Sequence, residues 1–202
     1  MSKFYRFCYR LLSGFFRWMY RVEIHGAENE PKEGALLVCA NHTSLSDVVL
    51  LGSCLHRQVR FFAKSELFKI PIFRHLIRAL GAYPVKRGQA DVQAIRNTLQ
   101  LLKDGEVVGV FPQGHRYPGV RPEETPAKAG IGMMVNRSHA SVLPIAISSK
   151  GYKLRPFRRN ILTIGTPISY ESLHIAAPTP TEYQRAADEI FKAITDMVQD
   201  LS

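Results

Sequence analysis

The sequence predicts a single-domain α/β sandwich, with a central, mostly parallel or mixed sheet flanked by helices and an amphipathic helix in front of it. Three observations predict this. Short apolar runs of strand character recur at 34–40, 59–63, 82–86, 106–111, 141–147 and 160–166. Helical periodicity fills the gaps at 44–57, 66–80, 90–103, 127–138 and 180–200. Residues 3–22 carry apolar side chains at helical spacing among cations alone.

In that first unit Phe4, Phe7, Cys8, Leu11, Phe15, Trp18, Met19 and Val22 keep i, i+3, i+4 spacing. Lys3, Arg6, Arg10, Arg17 and Arg21 are expected on the opposite face, and no acid precedes Glu23. One reading is a helix docked on the core with a solvated basic face. The other is an interfacial helix whose aromatics enter the acyl boundary while its cations meet lipid phosphates. Aromatic density together with one-signed charge favours the second. Residues 1–25 are therefore read as an interfacial unit and 26–202 as the globular domain.

Strand 34–40 (GALLVCA) is apolar throughout, as a strand covered on both faces should be. Thr43 or Ser44 is expected to cap the helix that follows. Segment 64–80 alternates Leu67, Phe68, Ile70, Ile72, Phe73, Leu76, Ile77 and Leu80 with Lys64, Lys69, Arg74 and Arg78, and Pro71 should kink or divide it. It suits a core helix, a membrane-dipping element or an acyl-chain groove. Helix 90–103 puts Val92, Ile95, Leu99 and Leu102 on one face and stops at Asp104-Gly105. Residues 176–182 form a loop into a capped final helix.

The chain has 202 residues, 46 % apolar and 22 % charged, which suits one domain with a real core. Its 27 Lys and Arg against 17 Asp and Glu give +10, pointing to an anionic partner: nucleic acid, a phosphate ligand or anionic lipid. Three cysteines without C-x-x-C spacing argue against a disulfide framework or a zinc site, and no metal is expected. No apolar run approaches the ~18 residues of a spanning helix, and 11–16 is too short for a signal peptide. A peripheral protein on the cytoplasmic face of the cell membrane is the expectation.

Two loops carry candidate chemistry. After strand 34–40 come Asn41 and His42, with Asp47 in the first turn of the next helix. A turn there would let the carboxylate meet Nδ1–H of His42 and leave Nε2 free to accept a proton. The plainer alternative is a capping Asp beside a hydrogen-bonded loop His. Cys39, just ahead, sits in an apolar strand and is read as packing, not as a nucleophile. After strand 106–111 come Pro112-Gln113-Gly114-His115-Arg116, where Arg116 is placed to fork onto a phosphate. Lys86 and Arg87 put two more cations at a strand end.

These blocks together resemble the 1-acyl-glycerol-3-phosphate acyltransferase family and its wider glycerolipid acyltransferase relatives. Asn41, His42 and Asp47 match the family's N-H-x-x-x-x-D. Val85-Lys86-Arg87 match an apolar strand ending in a basic residue. Phe111, Pro112, Gly114 and Arg116 match F-P-E-G-T-R, and the strand around Pro144 matches the fourth block. The similarity covers roughly residues 30–170. It departs at Gln113, usually Glu, and at His115, usually Thr. The resemblance implies an acyltransferase domain with His42 and Asp47 catalytic, Lys86, Arg87 and Arg116 on the substrate phosphate, and Asn41, Gln113 and Gly114 supporting the loops. It implies acyl-CoA or acyl-carrier-protein as donor substrate, lysophosphatidic acid as acceptor and no cofactor. Anionic membrane lipids are expected partners; nucleic acid is not. A hydrolase using the same His–Asp pair, a non-catalytic membrane-docking protein and a nucleic-acid module built on Lys153-Leu154-Arg155-Pro156-Phe157-Arg158-Arg159 are the competing readings.

Overall fold

An apolar run with no polar alternation needs cover on both faces of its sheet, and the strand Leu36–Ala40 is buried at every position. The computed structural model describes residues 3–85 and 92–201. In chain order it contains α1 (Lys3–Met19), β1 (Val22–His25), β2 (Leu36–Ala40), α2 (Asp47–Cys54), β3 (Val59–Lys64) and α3 (Phe73–Ala79). There follow β4 (Tyr83–Val85), α4 (Val92–Lys103), β5 (Val107–Val110), α5 (Gly130–Ser138), β6 (Ser141–Ser149), β7 (Asn160–Ile164) and α6 (Pro180–Thr195).

Among the described residues the strands form one seven-stranded sheet in the order β1-β7-β6-β2-β5-β3-β4. Every pairing is parallel except β6 with β7. The expected α/β sandwich with a mixed, mostly parallel sheet is what forms. Leu36, Val38 and Ala40 of β2 point into one apolar layer with Leu50, Leu51 and Leu55. Leu37 and Cys39 point into the other, with Leu102, Ile131, Val135, Ile190 and Ile194. Thus α1 and α2 cover one face, and α4, α5 and α6 the other. Thr179 caps α6 by accepting from Glu182 N–H at 3.3 Å, with Pro180 in the first turn.

Several sequence expectations shift. The first helix ends at Met19, and Val22–His25 is a strand paired with β7, so the sheet begins inside the segment read as helical. Val22-Glu23-Ile24-His25 alternates, but four residues directly after a helical pattern are too short a run to stand out from it. Helix 44–57 shortens to α2, with Ser46 at the N-cap and no side-chain cap bond from it. Pro71 divides segment 64–80 as expected: a 3-10 turn spans Ser65–Lys69 and α3 starts at Phe73. Between them Ile72 takes φ 64° and is 85 % exposed. That conformation is costly for a β-branched residue.

The first helix docks with an unexpected face. Tyr5, Ser13 and Tyr20 are buried, and the Tyr5 hydroxyl donates to Gly52 O of α2 at 3.1 Å. Burial pushes the Tyr5 phenol up to about 12. Phe4, Phe7, Leu11, Phe15 and Trp18, the apolar stripe of the sequence, point outward instead, with Trp18 65 % exposed. At 3.6 residues per turn the cations lie on a flank roughly a quarter turn from that stripe, not opposite it. The opposite face is the one packed on the protein.

Buried Asn160 fastens the helix end to the sheet. Its amide Nδ2 donates to Tyr20 O at 2.6 Å, and further to Arg158 O at 2.9 Å and Arg155 O at 3.3 Å. Asn160→Ala should therefore cost about 1–3 kcal/mol in urea unfolding, the price of leaving buried carbonyls without donors. A loss under about 0.5 kcal/mol would show that packing alone holds this junction.

Candidate active site

The carboxyl ends of adjacent parallel strands are where open α/β sheets place their ligands. Here β2 delivers Asn41, His42 and Thr43, and its neighbour β5 delivers Phe111, Pro112 and Gln113. Asn41 closes the end of β2 against β6: its Nδ2 donates to Ile147 O at 2.9 Å, and its Oδ1 accepts from Ile147 N–H at 2.7 Å. The residue is wholly buried, so it positions the loop and offers nothing to solvent.

The turn into α2 folds around one oxygen. Asp47 Oδ2 lies 2.8 Å from His42 Nδ1, and it accepts from Thr43 N–H at 2.7 Å and Ser44 N–H at 2.8 Å. Two backbone donors already occupy that oxygen, so it carries no proton and Nδ1 must be the donor. Nε2 is left with a free lone pair. The expected cap is thus inverted: the helix's first residue reaches back to cap the loop, and neither Thr43 nor Ser44 caps the helix. The Ser46 hydroxyl serves Tyr20, accepting at 2.7 Å and joining the turn to the end of α1.

Gln113 fixes the backbone of His42. Its Oε1 accepts from His42 N–H at 2.6 Å, and its Nε2 donates to Thr125 Oγ1 at 2.7 Å, whose hydroxyl donates to Pro122 O at 2.6 Å. A neutral amide suits this position because it must both accept and donate. Tyr117 N–H binds His42 O at 2.9 Å, so the β5 loop grips both backbone groups of His42.

Aromatic stacking fixes the imidazole plane. Phe111 lies parallel to His42 with centroids 3.8 Å apart and 11° between planes. Phe61 of β3 lies beyond Phe111 at 6.1 Å and 18°. Gly109 makes room for this column, since any side chain there would collide with the Phe61 ring. The His42 side chain keeps only 7 % of its surface exposed.

The structure thus brings together His42, Asp47, Asn41 and Gln113. Arg116 is exposed three residues beyond Gln113, on the same loop. Gly114, at φ 75°, makes the loop's turn, and its N–H is committed to Phe111 O at 3.0 Å. Lys86 and Arg87 lie outside the described residues. Burial pushes the Cys39 thiol well up, which agrees with packing. Sequence reasoning missed Thr125 and Phe61, which act only through other side chains and have no spacing signal. Among the described residues, a cleft of about 710 Å³ lies at the opposite ends of the strands, where Glu30 binds His56 and Arg57, and Glu106 binds Arg60.

Comparison with known proteins decides the family. The family model described as Acyltransferase matches residues 21–148, more than half of the chain.

This chain belongs to the acyltransferase family.

A 1-acyl-sn-glycerol-3-phosphate acyltransferase of Bacillus subtilis (strain 168) is 30 % identical over 167 residues, covering 81 % of this chain and 82 % of that one. The chloroplastic 1-acyl-sn-glycerol-3-phosphate acyltransferase LPAT1 of Arabidopsis thaliana is 31 % identical over 140 residues, 68 % of this chain and 38 % of that one. The crystal structure of the 1-acyl-sn-glycerophosphate (LPA) acyltransferase PlsC from Thermotoga maritima has TM-score 0.70 and 26 % identity, over 95 % of this chain and 80 % of that one. The protein is therefore an O-acyltransferase with an αβ acyltransferase fold.

Replacing Asp47 tests the geometry apart from activity. Asp47→Ala leaves two backbone N–H groups and Nδ1–H in a buried turn without an acceptor, and should cost about 2–3 kcal/mol in chemical denaturation. Asp47→Asn keeps an acceptor oxygen and should cost clearly less. Equal stability of wild type and Asp47→Ala would show that the turn is held by something else.

Proposed function

We propose that this acyltransferase moves a fatty acyl group from acyl-CoA or acyl-carrier-protein to the free sn-2 hydroxyl of lysophosphatidic acid, giving phosphatidic acid in phospholipid biosynthesis. The observation that carries the proposal is the Asp47-bound, Phe111-stacked His42, with Nε2 unbonded by its partners, beside a loop ending in Arg116. The relatives' names as 1-acyl-sn-glycerol-3-phosphate acyltransferases support the acceptor.

In this mechanism His42 and Asp47 are catalytic. Nε2 takes the proton of the acceptor hydroxyl as the oxygen attacks the thioester carbonyl. Asp47 holds the imidazole in its tautomer and stabilises the imidazolium that forms. The C–S bond breaks, and the same proton passes from Nε2 to the departing thiolate. No acyl-enzyme, metal or cofactor enters. The oxyanion would be met by N–H groups flanking Gly114, at His115 and Arg116, since that of Gly114 is already spent. Arg116, with Lys86 and Arg87, would hold the acceptor phosphate through charge-assisted hydrogen bonds. Asn41 and Gln113 keep the two loops in register.

The acceptor is amphipathic, so the enzyme works at a membrane surface. No described helix is long and apolar enough to cross a membrane. The outward stripe of α1, flanked by Arg6, Arg10 and Arg17, supports peripheral binding to anionic lipids on the cytoplasmic face. Exposed Ile70 and Ile72, beside Lys69, support a second contact.

Two experiments test this. With lysophosphatidic acid and acyl-CoA or acyl-carrier-protein, thiol release and phosphatidic acid formation should fall by about 10²–10⁴-fold in His42→Ala. Arg116→Ala should chiefly raise the acceptor KM. Retained turnover in His42→Ala would remove it from the mechanism. Separately, Phe15→Ser/Trp18→Ser should weaken flotation with vesicles at least ~tenfold, because each loses apolar area to bury. Its unfolding midpoint should hold, since both side chains are exposed. Undiminished flotation would remove α1 as the anchor.

A further inference from the structure

The stretch from Lys150 to Arg159 joins β6 to β7 and stands at the carboxyl end of β6, the same side of the sheet as His42. It has no part in the chemistry above, yet it is built with care. Lys150, Lys153, Arg155 and Arg158, with Gly151, line a cleft of about 380 Å³. No ion pair among the described residues includes any of these four cations, whereas neighbouring Arg159 is paired with Glu23 at 2.8 Å. Four unneutralised cations around one hollow repel one another, a cost that an anionic occupant would remove.

The cations are placed by backbone and packing. Buried Leu154 anchors the segment in the core. Asn160 gathers the carbonyls of Arg155 and Arg158. Lys153 lies across Gly119, where an added Cβ would stand 2.6 Å from its Cε and 3.3 Å from its Nζ. Gly119 N–H binds Tyr152 O at 3.0 Å, fastening the segment to the loop that holds His42. At the rim Phe157 adopts φ 59° and is 61 % exposed. Its N–H binds Met19 O at 2.6 Å, and its ring meets Trp18 edge-on with centroids 5.9 Å apart. A strained, exposed aromatic thus extends the outward stripe of α1, with Arg155 and Arg158 on either side of it.

Apolar tips bordered by cations mark the depth of a phospholipid headgroup. We infer that the Lys150–Lys153–Arg155–Arg158 cleft binds the phosphate of an anionic phospholipid headgroup while Phe157 and Trp18 enter the acyl boundary, a second lipid site separate from the acceptor pocket. The inference rests on the reading of α1 as membrane-facing.

The test floats the full chain with phosphatidylcholine vesicles containing or lacking phosphatidylglycerol. Each cation near an anionic leaflet contributes roughly fivefold in partition, so Lys153→Gln/Arg155→Gln should bind the phosphatidylglycerol vesicles about 25-fold less tightly. It should match wild type on neutral vesicles, in unfolding midpoint and in turnover with detergent-dispersed substrates. Lys103→Gln/Arg137→Gln, with the same charge change on the opposite face, should partition like wild type. Equal losses in the two variants would make the effect one of net charge and overturn the site, as would no loss in either. Tight binding of inorganic phosphate, abolished by the cleft variant without any change in partition, would reassign the cleft to a free anion. A raised acyl-CoA KM in detergent would reassign it to the donor, and salt-sensitive RNA capture without phosphatidylglycerol preference to nucleic acid. Loss of partition by the cleft variant, with Phe15→Ser/Trp18→Ser floating like wild type on neutral and anionic vesicles, would refute the reading of α1 as anchor and keep the phosphate site. Wild type that floats equally on both would do the reverse.

Discussion

One carboxylate oxygen organises the site. Oδ2 of Asp47 gathers two backbone N–H groups and an imidazole N–H within 2.8 Å, and it does so from inside the fold. A buried acid is tolerable only with such company. The arrangement is nonetheless costly, because Oδ1 is buried without a partner among the described residues. A turn serving only architecture would be built more cheaply with serine or asparagine. Every other feature of the site presupposes this contact. The stacked Phe111, the amide of Gln113 and the clamp from Tyr117 refine the pose of a ring whose tautomer the carboxylate has already set.

The sheet order explains why these groups meet. Strand β2 has β5 on one side and β6 on the other, so the loops leaving β2 and β5 emerge side by side. Parallel pairing puts both at the same end. The opposite end also holds a cleft, but there His56, Arg57 and Arg60 are tied to Glu30 and Glu106. A cleft alone is a poorer guide to chemistry than the direction in which strands run.

Much of this was legible in the sequence. Apolar runs marked the parallel strands because burial on both faces leaves a one-dimensional trace. The pairing of His42 with Asp47 was legible from a five-residue spacing across a strand-to-helix turn. The division at Pro71 followed from ring geometry. What escaped had no local trace. Strand β1 exists because β7 offers it an edge, and Thr125 matters only because Gln113 needs a partner. The orientation of α1 escaped for a different reason. Its docked face sets Tyr5, Ser13 and Tyr20 beside Phe16 and Met19, with the two tyrosine hydroxyls bonded to Gly52 O and Ser46 Oγ, while Phe4, Phe7, Leu11, Phe15 and Trp18 are left outside; periodicity identified the stripe but not where it points. Lys86 and Arg87 fall outside the described residues, so that cationic strand end stays a matter of sequence.

The pairing of Val22 with Asn160 joins the first strand of the chain to the last strand of the sheet. Contacts so distant along the chain form late, since the intervening loop must close first. During synthesis the register of β1 stays open until residue 160 has left the ribosome, and so does the Asn160 clasp on Tyr20. The oily segment is therefore made before the strand that clasps it and is among the last parts of the domain to be fastened down.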